Sequence, residues 1–223
     1  MALSDDLRTV LLQAIEDYDF PFVTYDFIEN KEIQHQSMRD VEARISEQLL
    51  AEKPESIRDG FSNVLYWGYA RTGYRWNRIT DFRTKATVDK LSRAGKTLRE
   101  LHRSGVREIA KLQLPQFSGL SFVSKVRMFL DPTNYVVLDI QLLKLRDQER
   151  PNIFHEVTHK EKTSIRITQK NQAVYEQWCS ICRRIAAKEF GEIGIRAVDV
   201  ERGVFHLTQT GRMLLAAQIV ADA

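Results

Sequence analysis

Four groups of residues have types and spacings that can support chemistry. Asp139 stands between the apolar run Tyr135-Val136-Val137-Leu138 and the segment Ile140-Gln141-Leu142-Leu143. An ionised carboxylate there can stabilise a developing cation or orient a water. An aspartate ahead of a helix also serves as its N-cap, worth about 1 kcal/mol with no chemistry attached. Both readings stay open. The stretch Tyr66 to Arg78 interleaves Arg71, Arg75 and Arg78 with Trp67, Tyr69, Tyr74 and Trp76. Guanidinium groups grip phosphates, and aromatic faces stack on unpaired bases for about 1–3 kcal/mol each. The alternative is that the rings pack inside and the arginines are solvated. His155-Glu156-Val157-Thr158-His159 fits HExxH, in which two histidines one helical turn apart bind zinc. It follows Pro151 and runs into Lys160-Glu161-Lys162 with no apolar helix to hold it, so no metal site is expected. Cys179 and Cys182 are too few to close a tetrahedral site and read as two half-buried thiols on a helix.

The most informative stretch is Leu114 to Leu143, LPQFSGLSFVSKVRMFLDPTNYVVLDIQLL. A helix runs into a tight turn, a second helix and a short loop, and an aspartate then enters a further helix. A turn at a helix N-terminus aims several backbone N–H groups at one spot, where they and the helix dipole favour a phosphate. This stretch resembles the helix-hairpin-helix DNA glycosylases, the superfamily of the 8-oxoguanine glycosylases and endonuclease III. Leu114-Pro115 matches the family's LP, Phe117 its apolar hairpin residue, and Leu138-Asp139 its V-D.

The resemblance implies a protein that flips a damaged or modified base out of duplex DNA and cleaves its N-glycosidic bond. Asp139 would be the catalytic carboxylate. Gln116, Phe117, Ser118, Gly119, Leu120, Ser121 and Ser124 would hold the DNA backbone with Arg71, Arg75 and Arg78. Trp67, Tyr69, Tyr74 and Trp76 would line the base pocket. The two family glycines fall on Gln116 and Ser118, with glycine only at Gly119, so a distorted hairpin is expected. The family's Schiff-base lysine falls on Leu120, which implies base excision without lysine-dependent strand cleavage. Lys125, the second catalytic candidate, lies five residues on, about 140° around a helix, and reads as a DNA-contact or pocket residue before a nucleophile. The four-cysteine cluster of the endonuclease III branch is missing, so neither an iron–sulfur centre nor any other cofactor is implied. Repair and the attack of modified phage DNA both remain open. The alternative function is a non-catalytic DNA-binding protein of the same fold.

The elements that position these residues read as helices throughout. Apolar residues at helical spacing predict helices over 3–16, 38–50 (capped by Ser37), 61–74, 84–103 (Val88, Leu91, Leu98, Leu101), 105–112, 169–190, and two pieces of 195–220 broken at Gly203 and near Gly211. Residues 147–168 have no period and read as a surface connection. Strand alternation is nearly absent. The expected class is therefore all-α, and the resemblance implies two helical lobes around a basic cleft in one glycosylase-like domain over 1–223. Helices of 61–146 would form the hairpin lobe, and the N-terminal and 169–223 helices the other.

At 223 residues, with 43% hydrophobic and 28% charged, the chain can bury a core without disulfides or metal. The formal net charge of +3 conceals segregation. Residues 1–60 carry six basic against fourteen acidic side chains (net −8), and residues 61–130 fourteen against four (net +10). A concentrated positive surface attracts polyanions, while the same residues scattered over several solvated helix faces would not; the aromatics of this third point to nucleic acid, and the resemblance makes DNA the expected partner. No apolar run approaches a membrane span, and MALSDDLRTV lacks the basic and apolar regions of a signal peptide, so a cytoplasmic location is expected. Asp199, beside Arg196 and Arg202, is a fallback carboxylate in a structural charge cluster.

Overall fold

Ser37 accepts the amide of Asp40, while the Asp40 carboxylate accepts the amide of Ser37, and this reciprocal capping box starts α2 (Met38–Leu50) at the predicted residue. Ser4 caps α1 (Asp5–Glu16) through one bond only, its hydroxyl accepting the amide of Leu7. The computed structural model describes residues 3–100, 105–147, 150–159 and 164–223. They form two compact units, Phe20–Leu130 and Met1–Asp19 with Asp131–Ala223. Residues 20–60 thus group with the predicted hairpin lobe, and residues 131–146 group with the terminal helices. Among the described residues the protein is mostly helical, and no helix is long and apolar enough to cross a membrane.

The central unit begins with a hairpin of two four-residue strands, β1 (Val23–Asp26) and β2 (Lys31–Gln34), paired antiparallel from Val23↔Gln34 to Asp26↔Lys31. Strand alternation does not signal it, because four residues per strand with a mostly exposed β2 give no period to read. It is specified by side-chain hydrogen bonds instead. Asp26 accepts the amides of Ile28 and Glu29, both at 2.9 Å, closing the turn. The buried Asn63 exchanges hydrogen bonds with both backbone groups of Tyr25 and also donates to Gln48.

Asn63 belongs to α3 (Pro54–Gly68), which starts on a proline at its first turn and crosses α2 at Gly60. A Cβ at Gly60 would lie 2.8 Å from the Leu49 nitrogen. The helix predicted over 61–74 is in fact the end of α3 and a turn over 69–74, and α4 (Arg75–Lys85) begins only after it. The helix predicted over 84–103 divides at Ala86 and Thr87; the Thr87 hydroxyl caps Lys90 and starts α5 (Val88–Arg99). Leu101 lies outside the described residues. After α6 (Val106–Lys111) and a turn comes α7 (Leu120–Leu130). Phe61, Phe82 and Phe117 meet in the core, with ring centroids 4.9–6.0 Å apart. Phe117 therefore fastens the turn before α7 to α3 and α4.

In the terminal unit, α1, α8 (Gln169–Phe190) and α10 (Met213–Asp222) pack against α9 (Ala197–Gln209). Residues 140–147 and 153–156 are 3₁₀ helices, the second inside the predicted connection. Helix α9 runs unbroken through Gly203, against expectation. A Cβ there would lie 2.8 Å from Ile15 Cγ1 and from Leu11 Cδ1, so the glycine serves close packing by α1. The break is at Gly211, whose φ of 81° suits glycine. Cys179 and Cys182 are fully buried in the α8 interface rather than half-buried. Burial pushes the Cys182 thiol well above its ordinary range.

Candidate nucleic-acid interface and the position of Asp139

The chain between α6 and α7 turns tightly because two glutamines adopt left-handed backbone, Gln113 at φ 49° and Gln116 at φ 70°. Gln116 is one of the two positions where the glycosylase pattern carries glycine, the residue that enters this conformation without steric cost. The residue type departs from that pattern while the backbone takes the conformation that glycine favours. The amide of Phe117 donates to the Leu114 carbonyl at 3.1 Å within the turn. Ser118 is exposed, and Gln116, Gly119 and Ser121 are half-buried. The side chains of Phe117, Leu120 and Ser124 are buried, which leaves these three only backbone atoms with which to meet a ligand. Lys125 is buried too, on the core side of α7, its Nζ 3.3 Å from the Ser121 carbonyl and over the Phe122 ring. Hence its ammonium group does not extend into solvent.

The aromatic-basic stretch divides by burial. Trp67 packs edge-on against Phe129, with Phe20 on another side, and is 4% exposed. The ring is thus enclosed by its neighbours and presents no face to solvent. Tyr69 is half-buried against Tyr74 and Phe122. Arg75 stitches the turn before α4, donating to the carbonyls of Tyr69 and Ala70 and lying over Tyr66 beside Glu32. Tyr66, which sequence patterning does not single out, donates to Glu32, and its phenol is pushed up to about 12 by burial first and by that bond second. Four members remain accessible. Arg71 and Arg78 are exposed, Tyr74 is 47% exposed, and Trp76 is 46% exposed and braced by the rings of Tyr25 and Tyr66.

Three of the predicted residues, Tyr74, Arg78 and Gln116, come together with Asn77, Asp81 and Lys85 around an open groove of about 460 Å³. Gln116 Nε2 donates to Asp81 Oδ2 at 2.6 Å, and Arg78 donates to Gln116 Oε1 at 3.3 Å. Lys85 pairs with the same carboxylate. The helical spacing of 74, 77, 78, 81 and 85 was a readable signal for this face. The pairing with Gln116 across the sequence was not.

Asp139 belongs to the terminal unit and is half-buried at the mouth of the 3₁₀ helix Ile140–Asp147, after the buried Val136, Val137 and Leu138. Its Oδ1 accepts the Gln141 amide at 3.1 Å, and its carbonyl accepts the Leu142 amide at 3.1 Å. The structural role foreseen for this residue is thus present. Asp199 is bound by Arg196 and Arg202. Burial pushes its carboxyl up, yet those two partners outweigh it and hold the group below its ordinary range. Such an ion-paired aspartate is a poor proton carrier near neutrality. His155 and Glu156 end the 3₁₀ helix Ile153–Glu156 and His159 lies beyond it, so the HExxH residues do not share an α-helical face.

No family model matches the chain, and no curated protein or solved structure matches it.

Proposed function

We propose that this protein is a monofunctional DNA glycosylase with a helix-hairpin-helix glycosylase-like fold. The observation that carries the reading is the left-handed backbone of Gln116 in the turn between α6 and α7, at a glycine position of the family pattern. A turn of that shape can offer backbone N–H groups to a DNA phosphate. Arg71 and Arg78 add charge, and Tyr74 and Trp76 offer ring faces to a base out of the stack.

In this account Asp139 works as an anion. When the glycosidic bond breaks, its electron pair leaves with the base and C1′ becomes oxocarbenium-like. A carboxylate beside that carbon lowers the barrier, and water completes the hydrolysis. Leu120 occupies the Schiff-base position and cannot form one. The buried setting of Lys125 supports the same conclusion.

A second reading, DNA binding without catalysis, is favoured by the hydrogen bond from Gln141 to Asp139, which accounts for an aspartate here by capping alone. Incubating duplexes that carry oxidised, alkylated and hypermodified bases, with alkali cleavage and mass spectrometry of free bases, separates the two. The glycosylase reading predicts one released base and an alkali-labile site. Binding with no release from any duplex supports the second reading.

A further inference from the structure

We infer that the groove along α4 binds single-stranded DNA, with an unpaired base on the ring of Tyr74 and the adjoining phosphate on Arg78. The inference rests on the DNA-binding part of the reading above and specifies the form of DNA. Tyr74, Asn77, Arg78, Asp81 and Lys85 lie on one helical face, which spans about 16 Å at 1.5 Å per residue. Gln116 closes the groove from the hairpin turn.

Three features of this groove fit an unpaired strand. The Tyr74 ring is nearly half exposed yet already oriented, with the Tyr69 ring edge-on at 5.3 Å and the Arg78 guanidinium 5.5 Å from its centroid. A ring fixed in advance loses little entropy when a base stacks on it. Asp81, the one acid among the described residues that line the groove, is engaged by Lys85 and Gln116, so it opposes a phosphate at Arg78 only weakly. The side-chain amide of Asn77, which also lines the groove, carries a donor and an acceptor that match a base edge. In a stacked duplex each base face is covered by its neighbours until a base is flipped out, whereas an unpaired strand presents one to a tyrosine without that cost.

The test is fluorescence anisotropy of the full chain with a labelled oligothymidylate of about 12 nucleotides, alone and annealed to its complement. The single strand should bind at least about tenfold tighter than the duplex. Tyr74→Ala should weaken it about tenfold, while Tyr74→Phe and Tyr74→Trp, which keep a ring face, should stay within about twofold. Arg78→Gln should weaken binding and reduce the salt dependence by about one phosphate contact. Duplex affinity equal to that of the single strand, or Tyr74→Ala matching wild type, overturns the inference. Base release is scored separately. Excision with no single-strand preference sinks this inference alone, and single-strand binding without excision sinks only the enzymatic reading.

Discussion

Gln116, in left-handed backbone, donates its side-chain amide to Asp81 across thirty-five residues, and this bond ties the hairpin turn to α4. The Asp81 carboxyl is held below its ordinary range by its hydrogen bond with Lys85 first and by that with Gln116 second. One side chain thus both occupies the strained position of the turn and fastens it to the basic helix.

That double role predicts an ordering of variants. Gln116→Ala loses the bond and keeps the strain, whereas Gln116→Gly loses the bond and relieves the strain. Left-handed backbone costs a residue with a Cβ roughly 1–2 kcal/mol, partly offset by the greater freedom of glycine when unfolded. Urea denaturation should therefore place Gln116→Gly above Gln116→Ala by about 0.5–1 kcal/mol. The reverse order would mean that the turn relaxes out of the left-handed region.

Tyr66 predicts an alkaline limb. Its phenol rises from the ordinary value of 10 to about 12 in the folded protein. The folded state thus holds this proton more tightly than the unfolded state. The resulting stabilisation is complete below 10 and is lost as the pH climbs toward 12. The urea midpoint should fall across that window, and Tyr66→Phe should lack its share of the fall. Identical profiles for the variant and wild type would refute the assignment.

Gly203 predicts overpacking. An alanine Cβ would meet Ile15 and Leu11 at 2.8 Å, and it would lie 3.3 Å from the Leu11 carbonyl, which cannot swing aside. Gly203→Ala should cost about 1–3 kcal/mol by thermal or urea melting. Gly191→Ala is the control, since nothing lies within 4 Å of its added carbon, and it should cost nothing. Equal behaviour of the two would contradict the close packing of α1 on α9.

Where periodicity and capping coincide, the fold is legible in the sequence, as in α2 with Ser37 and in α8. It is not legible where long-range partners decide. The β-hairpin depends on Asn63, thirty-eight residues from Tyr25, and Gly203 reads as a breaker until α1 lies against it. Thr87 was a readable cap, hidden by the apolar stripe that continues through Val88 and Leu91. The candidate interface shows the same division. Arginine and aromatic content marked the right stretch, but residue type alone could not tell the buried Trp67 from the exposed Trp76. Nor could spacing reveal that Lys125 faces the core or that Gln116 meets Asp81.

Asp139→Asn bears most directly on the central claim. Asparagine caps a helix about as well as aspartate, so the substitution keeps an acceptor for the Gln141 amide while it removes the charge and turns the second oxygen into an amide nitrogen. The measurement is single-turnover release of the base that wild type excises, with duplex affinity determined in parallel. The account predicts release slowed by about 100-fold or more with affinity unchanged. Release at the wild-type rate, or no release by wild type from any modified duplex, would contradict it.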